Sequence, residues 1–166
     1  MALQAISHMS KVLIPIILCL SLNIQAQKID STWINGTQTL ADGYYKADKS
    51  TFTNLLVIDY QDSDDSYFVN PELKISIDKL KNVSIKENYN GNKFIALTFE
   101  SDYHDEWAEI TASQIGQYLV LIVNNKLVQG SQVNTEIPNG MSAINRDDLT
   151  ESQLNELLNL ISKRIK

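Results

Sequence analysis

The sequence predicts an α+β domain, a mainly antiparallel sheet with two helices on one face. Three observations predict it. Apolar residues recur at helical spacing over 103–115 and again over 149–165. Between them lies a six-residue apolar run followed at once by two asparagines, and the chain ahead of the first helix alternates in the two-residue period of strands. The length of 166 residues, 43% of them apolar and 20% charged, suits one globular domain.

The first element is an address rather than part of the fold. Residues 12–22 are apolar, Lys11 precedes them, and a small residue, Ala26, follows. A positive start, an apolar stretch of roughly 7–15 residues and a small residue at the cut make a secretory signal peptide, whereas a membrane-spanning helix needs about 20 apolar residues. The expected organisation is a signal peptide at 1–26, an N-terminal tether at 27–41 and a folded domain at 42–166, with translation starting at Met1 or Met9. Cleavage removes Cys19, the one cysteine, and with it any thiol chemistry. A lipid anchor on Cys19 is disfavoured by the preceding Ile16-Ile17-Leu18, which lacks the usual small residue.

Within the domain, 55–60 and 66–69 read as a hairpin around the polar 61–65. The stretch 75–80, after Asn70-Pro71, fits either strand or helix. Residues 83–87 and 93–100 form a second strand pair around Asn90-Gly91-Asn92. Tyr103, Trp107, Ile110, Gln114 and Ile115 then mark the first helix, with Asp102 as its N-cap and Gly116 as its left-handed stop. Unbroken apolarity over 118–123 implies a strand buried on both faces, and Asn124-Asn125 tolerates the positive φ of a two-residue hairpin leading back through 126–128. The last helix opens on Thr150-Glu151-Ser152-Gln153, a capping box, with Leu149 and Leu154 as staple. Leu154, Leu157, Leu158, Ile161 and Ile165 share its apolar face, and Lys163, Arg164 and Lys166 stand at the negative end of its dipole.

Charge narrows the partners. With 14 Lys and Arg against 20 Asp and Glu, a net charge of -6, the chain has no basic surface for a phosphate backbone, so nucleic acid is not an expected partner. The densest polar cluster comprises Glu100, Asp102, His104, Asp105, Glu106 and Glu109. Histidine among carboxylates suits zinc, but acids also gather at a helix start because they complement its dipole. With no second histidine outside the signal, the helix-start reading is preferred. Asp59, Asp62, Asp64 and Asp65 resemble half a calcium loop without its glycine and distal glutamate. No G-x-S-x-G elbow or phosphate-cradling loop occurs. We therefore assign no catalytic, cofactor-binding or metal-ligating residue. Trp33, Tyr44, Tyr45, Tyr67 and Phe68 could face a partner, although strand aromatics are more often core.

Residues 94–158 carry a longer pattern. Trp107-Ala108-Glu109-Ile110-Thr111 is followed by Gly116-Gln117-Tyr118-Leu119-Val120-Leu121-Ile122-Val123-Asn124 and Val128, then by the spaced Val133, Ile137, Gly140, Ile144, Leu149-Thr150 and Gln153. This resembles the head subdomain of the first periplasmic domain of SecD/SecDF, with Asp42-Gly43-Tyr44-Tyr45 and Phe68-Val69-Asn70-Pro71 fitting its upstream strands. Gly130-Ser131-Gln132 stands where that family has Ser-Ala-Pro. The resemblance implies a periplasmic or secreted, non-enzymatic domain that contacts extended or exported polypeptide, with no cofactor and no membrane span after signal cleavage. Two other readings stay open: a secreted hydrolase using the acids around His104, and a specific partner or inhibitor of another exported protein.

Overall fold

A computed structural model describes residues 39–49, 56–59, 66–146 and 149–165. Strands β1 (Gly43–Asp48), β2 (Leu56–Asp59), β3 (Ser66–Ser76), β6 (Tyr118–Val123) and β7 (Lys126–Gln132) form one sheet in the order β2-β3-β1-β6-β7. A second sheet, β4-β5-β8, joins Leu80–Glu87, Lys93–Phe99 and Met141–Ile144. Helix α1 spans His104–Ala112 and α2 spans Glu151–Ser162. All strand pairs are antiparallel, as expected for the α+β class, but the expected single sheet is two.

The division occurs in the segment the sequence left ambiguous. Residues 75–80 contain the end of β3, a 3-10 turn at Ile77–Lys79 and the start of β4. The Ser76 hydroxyl accepts from the Asp78 N–H, and the Ile77 N–H donates to the Asp42 carbonyl, so the chain leaves the first sheet at a fixed point. Pro71 lies inside β3, which a regular ladder would forbid. It is accommodated where the register slips: Tyr45 opposes Leu73 but Ala47 opposes Val69, leaving Asn70, Pro71 and Glu72 bulged opposite Lys46.

The expected hairpins form. β2 pairs with β3 from Leu56↔Val69 to Asp59↔Ser66, and the turn at 61–65 lies outside the described residues. Asn88 closes the β4–β5 turn, its side-chain oxygen accepting from the Asn90 and Asn92 N–H groups, while Gly91 takes φ +83. Asn124 and Asn125 adopt φ 52 and 59, as the β6–β7 turn requires.

One face of the large sheet, through Tyr44, Ile75, Leu119 and Leu121, packs in a shared core with Ile95, Leu97 and Phe99 of the small sheet, Trp107 and Ile110 of α1, and Leu154 and Ile161 of α2. Both helices thus join the same side of the large sheet. Its other face has its own buried cluster, including Tyr45, Tyr67, Val69, Val120 and Ile122. This second core follows from curvature. The sheet's two edges, β2 and β7, come into contact without a ladder between them, and Tyr67 of β3 lies against Gly130 of β7 across the interior. A five-stranded sheet curled this far encloses side chains on its concave face. β6 is accordingly buried on both sides, as its unbroken apolarity predicted.

Two helix ends differ from expectation. Asp102 does not cap α1: a 3-10 turn at Ser101–Tyr103 precedes it, and the N-cap position is Tyr103, without a side-chain bond. On α2 the Thr150–Gln153 capping box forms reciprocally. Beyond it, Arg164 does more than face the helix dipole, because its Nε donates to Asp42 at 2.8 Å and ties the C-terminal end to the start of β1. Of the apolar face of α2, Leu154 and Ile161 are buried, while Leu157, Leu158 and Ile165 are half-buried.

Candidate functional site

The acidic cluster is spread along the start of α1. His104 is the first residue of α1, and its Nε2 donates to the Phe99 carbonyl at 3.1 Å, which fixes the proton on that nitrogen. Its ring also fills the space a side chain would need at Gly140, where φ is +64. The histidine therefore clasps the end of β5 to the loop before β8, and the Phe99 N–H donates to the Gly140 carbonyl beside it. Glu100, Asp102, Asp105, Glu106 and Glu109 are exposed. Among the described residues no three His, Cys, Asp or Glu side chains converge as metal ligands. Asp59 closes β2, and Asp62, Asp64 and Asp65 lie outside the described residues.

The strand aromatics divide differently. Tyr44, Tyr45 and Tyr67 are buried, Phe68 is half-buried, and Trp33 lies outside the described residues. Tyr44 matters most, because the alternation of β1 directs it into the shared core, where it meets Trp107 at 4.8 Å and Phe99 at 6.1 Å between ring centroids. Phe99 and Trp107 complete the trio at 5.0 Å. Each member comes from a different element, β1, β5 and α1, so the cluster fixes the helix against both sheets.

Beside this trio a cleft of about 260 Å³ opens between the C-terminal end of β7 and the free edge of β8. Tyr44, Trp107 and Leu119 line it together with Gln129, Ser142 and Ala143. Among the described residues β8 pairs with β5 alone, on one side. Gly140 bonds toward β5, so antiparallel alternation directs the main-chain groups of Met141 and Ala143 the other way. Those of Met141 are engaged, its carbonyl by Trp107 Nε1 at 3.0 Å and its N–H by the Asn139 side chain at 3.3 Å. Ala143 is thus the point at which β8 offers a main-chain pair to the cleft.

Two polar groups mark its walls. The Tyr44 hydroxyl donates to Ser142 Oγ at 2.7 Å, and burial pushes the phenol well above its ordinary pKa, so it stays a neutral donor. Gln129 donates through Nε2 to Ser131, while its Oε1 is buried with no partner among the described residues. Sequence reasoning did not single out Gln129, Ser142 or Ala143. The signal available for β8 was the four-residue stretch between Gly140 and Asn145, too short for periodicity to identify. Among the described residues the one aromatic left fully exposed, Tyr89 at the β4–β5 turn, also went unremarked.

Comparison with known proteins places this geometry. No curated protein matches the chain. Solved structures that match its fold include a SecDF crystal structure in a super-membrane-facing form, at TM-score 0.57 and 12% identity, and a structure of a membrane component SecDF that enhances protein export, at 0.54 and 11%. The matches cover 75% and 76% of this chain but only 18% and 64% of those chains. At such identities the likeness is one of fold. The family model for the SecDF P1 head subdomain matches residues 53–162, and the chain belongs to that family.

Proposed function

We propose that this chain is an exported, non-enzymatic binding domain that holds extended polypeptide in the cleft between β7 and β8, with a role in protein export. The observation that carries the reading is the edge of β8 that no described strand pairs, beside an apolar-floored cleft. A strand laid along that edge gains main-chain bonds at Ala143, and alternate side chains enter the cleft over Tyr44 and Trp107. Membership of the head subdomain family supports this partner class, and the packing of His104 against Phe99 and Gly140 favours a structural over a catalytic histidine. In this reading residues 1–26 are a signal peptide, 27–41 a tether and 42–166 the working domain, in the periplasm or outside the cell. No described helix is long and apolar enough to cross a membrane.

The test is Ala143→Pro. Proline removes the N–H directed away from β5 while leaving the β5 ladder intact, and edge strands tolerate it. Losing one main-chain hydrogen bond should weaken binding of an extended peptide with alternating apolar residues by up to about tenfold, with the melting temperature little changed. Unchanged affinity would refute binding at the β8 edge. N-terminal sequencing of the exported protein should start at Gln27, and a lipid-modified Cys19 would refute the cleavage reading.

A further inference from the structure

Two hydrogen-bonding groups with unused capacity face the β7–β8 cleft from opposite sheets. Gln129 lies across from Leu121, whose side chain is in the shared core, and cross-strand neighbours share a face, so the Gln129 side chain projects on the side of the small sheet. Ser142 lies across from Leu97 of the same core, so it projects from β8 on the side of the large sheet. Both residues line the cleft, whose volume of about 260 Å³ is small enough to present them to one occupant.

Their chemistry is complementary. Ser142 Oγ accepts from the Tyr44 hydroxyl at 2.7 Å, and the serine's own proton has no acceptor among the described residues. The buried Tyr44 thus occupies one lone pair of Oγ and leaves the serine O–H as a polarised donor. Gln129 supplies the opposite group. Its Nε2 donates to Ser131 Oγ at 2.8 Å and reaches the Gly130 carbonyl at 3.4 Å, and because a carbonyl can only accept, that contact fixes which end of the amide is nitrogen. The remaining Oε1 is buried with no partner among the described residues, a state that disfavours the empty cleft. The terminal torsion of glutamine is broad, so the amide plane can tilt this oxygen toward a donor that enters.

We propose that the cleft selects a glutamine or asparagine side chain of the bound polypeptide, the Ser142 hydroxyl donating to its amide oxygen and Gln129 Oε1 accepting from its amide nitrogen. This selectivity rests on the reading that extended polypeptide pairs along β8, and adds which side chain that polypeptide carries into the cleft. A primary amide offers an acceptor and a donor side by side on one planar group. A carboxylate accepts from Ser142 but sets oxygen against Oε1, and an ammonium reaches Oε1 but offers Ser142 nothing. A hydroxyl carries both functions on a single atom, whereas the two groups stand on opposite walls. An aliphatic side chain leaves both unpaired in a site closed to water.

The probes are fluorescein-labelled extended peptides of alternating valine and threonine that differ only at one central residue, glutamine, glutamate, leucine or lysine, titrated by anisotropy against the protein. The glutamine peptide should bind about tenfold more tightly than any of the others, the size of effect expected when polar groups of a closed site lose a partner. Gln129→Met, close in volume, should cut the ratio of glutamine-peptide to leucine-peptide affinity by about threefold or more. Ser142→Ala should do the same when made together with Tyr44→Phe, which avoids stranding the buried Tyr44 hydroxyl. Melting temperatures check folding, and either variant that folds decides. Ala143→Pro should weaken every peptide alike and keep the ratio, because it removes main-chain pairing and not the side-chain contacts. Equal affinity for the glutamine and leucine peptides, or a ratio indifferent to the folded variants, would overturn the selectivity, and an Ala143→Pro loss shared by all peptides would then leave the β8 edge standing as the place of binding. If no peptide binds, or Ala143→Pro changes nothing, the edge reading falls and the selectivity falls with it.

Discussion

Gly130→Ala probes the curvature of the large sheet. A Cβ built on Gly130 would lie 2.5 Å from Tyr67 Cζ, 2.6 Å from its hydroxyl oxygen and 2.7 Å from Cε2. Carbon atoms pack at about 3.5–4.0 Å, so the ring would have to withdraw by about 1 Å. It has little room to do so. Tyr67 is 4% exposed, meets Tyr118 edge-on at 5.5 Å, and has the Lys49 ammonium 5.0 Å from its centroid. The backbone at Gly130 is not in the left-handed region, so the cost is steric and falls at about 1–3 kcal/mol, the range of an overpacked core. In urea, where small proteins lose about 1–3 kcal/mol per molar, the midpoint should fall by about 1 M with the slope unchanged. A double-mutant cycle isolates the contact. Tyr67→Ala alone should cost about 3–5 kcal/mol, and adding Gly130→Ala to it should cost almost nothing further, since the colliding ring is gone. A Gly130→Ala protein as stable as the parent, or strictly additive losses in the double variant, would mean that Tyr67 does not cross to β7 and that the sheet is open.

Three further outcomes follow from the same structure. On α2, Leu154→Ala and Ile161→Ala should each cost about 2–5 kcal/mol, half-buried Leu158→Ala distinctly less, and exposed Asn159→Ala within about 0.5 kcal/mol of nothing, as read from urea midpoints. Burial raises the Tyr44 phenol above its ordinary value of 10.0, so the folded state keeps a proton that the unfolded chain loses; stability should therefore fall as pH rises above about 10, and Tyr44→Phe should flatten that fall in alkaline denaturation scans. Asp42→Asn should cost about 1 kcal/mol, because its carboxylate accepts from the Asn124 N–H at 2.6 Å and from Arg164 Nε at 2.8 Å in a partly exposed position, and Arg164→Ala should add little in that background.

What was legible in the sequence is what a few consecutive residues decide. The capping box at Thr150 and Gln153 spans four residues and forms as written. Asn124-Asn125 and Asn90-Gly91 mark turns because their backbone tolerances are intrinsic to those residue types. The apolar run 118–123 carried the most remote information, since burial on both faces is encoded in a strand's own composition. Asp102 shows the limit of local reading: its type suits a cap, yet a 3-10 turn set by neighbouring structure moved the helix start past it.

The tertiary structure decided everything that depends on residues far apart in the chain. Asp42 bonds to groups 82 and 122 positions away, and no local pattern names such partners. The same holds for the division into two sheets, for the curl that brings β7 of the large sheet against β2, and for the aromatic trio drawn from β1, β5 and α1. His104 illustrates the consequence for function. Its neighbours in sequence are acids, which raised a metal site or catalysis, but its neighbours in space are the Phe99 carbonyl and Gly140, which make it a clasp. The β7–β8 cleft arises where elements distant in sequence leave a gap between two sheets. A local pattern specifies which face of a strand or helix is apolar, whereas only the packing of those faces specifies which apolar surface stays uncovered.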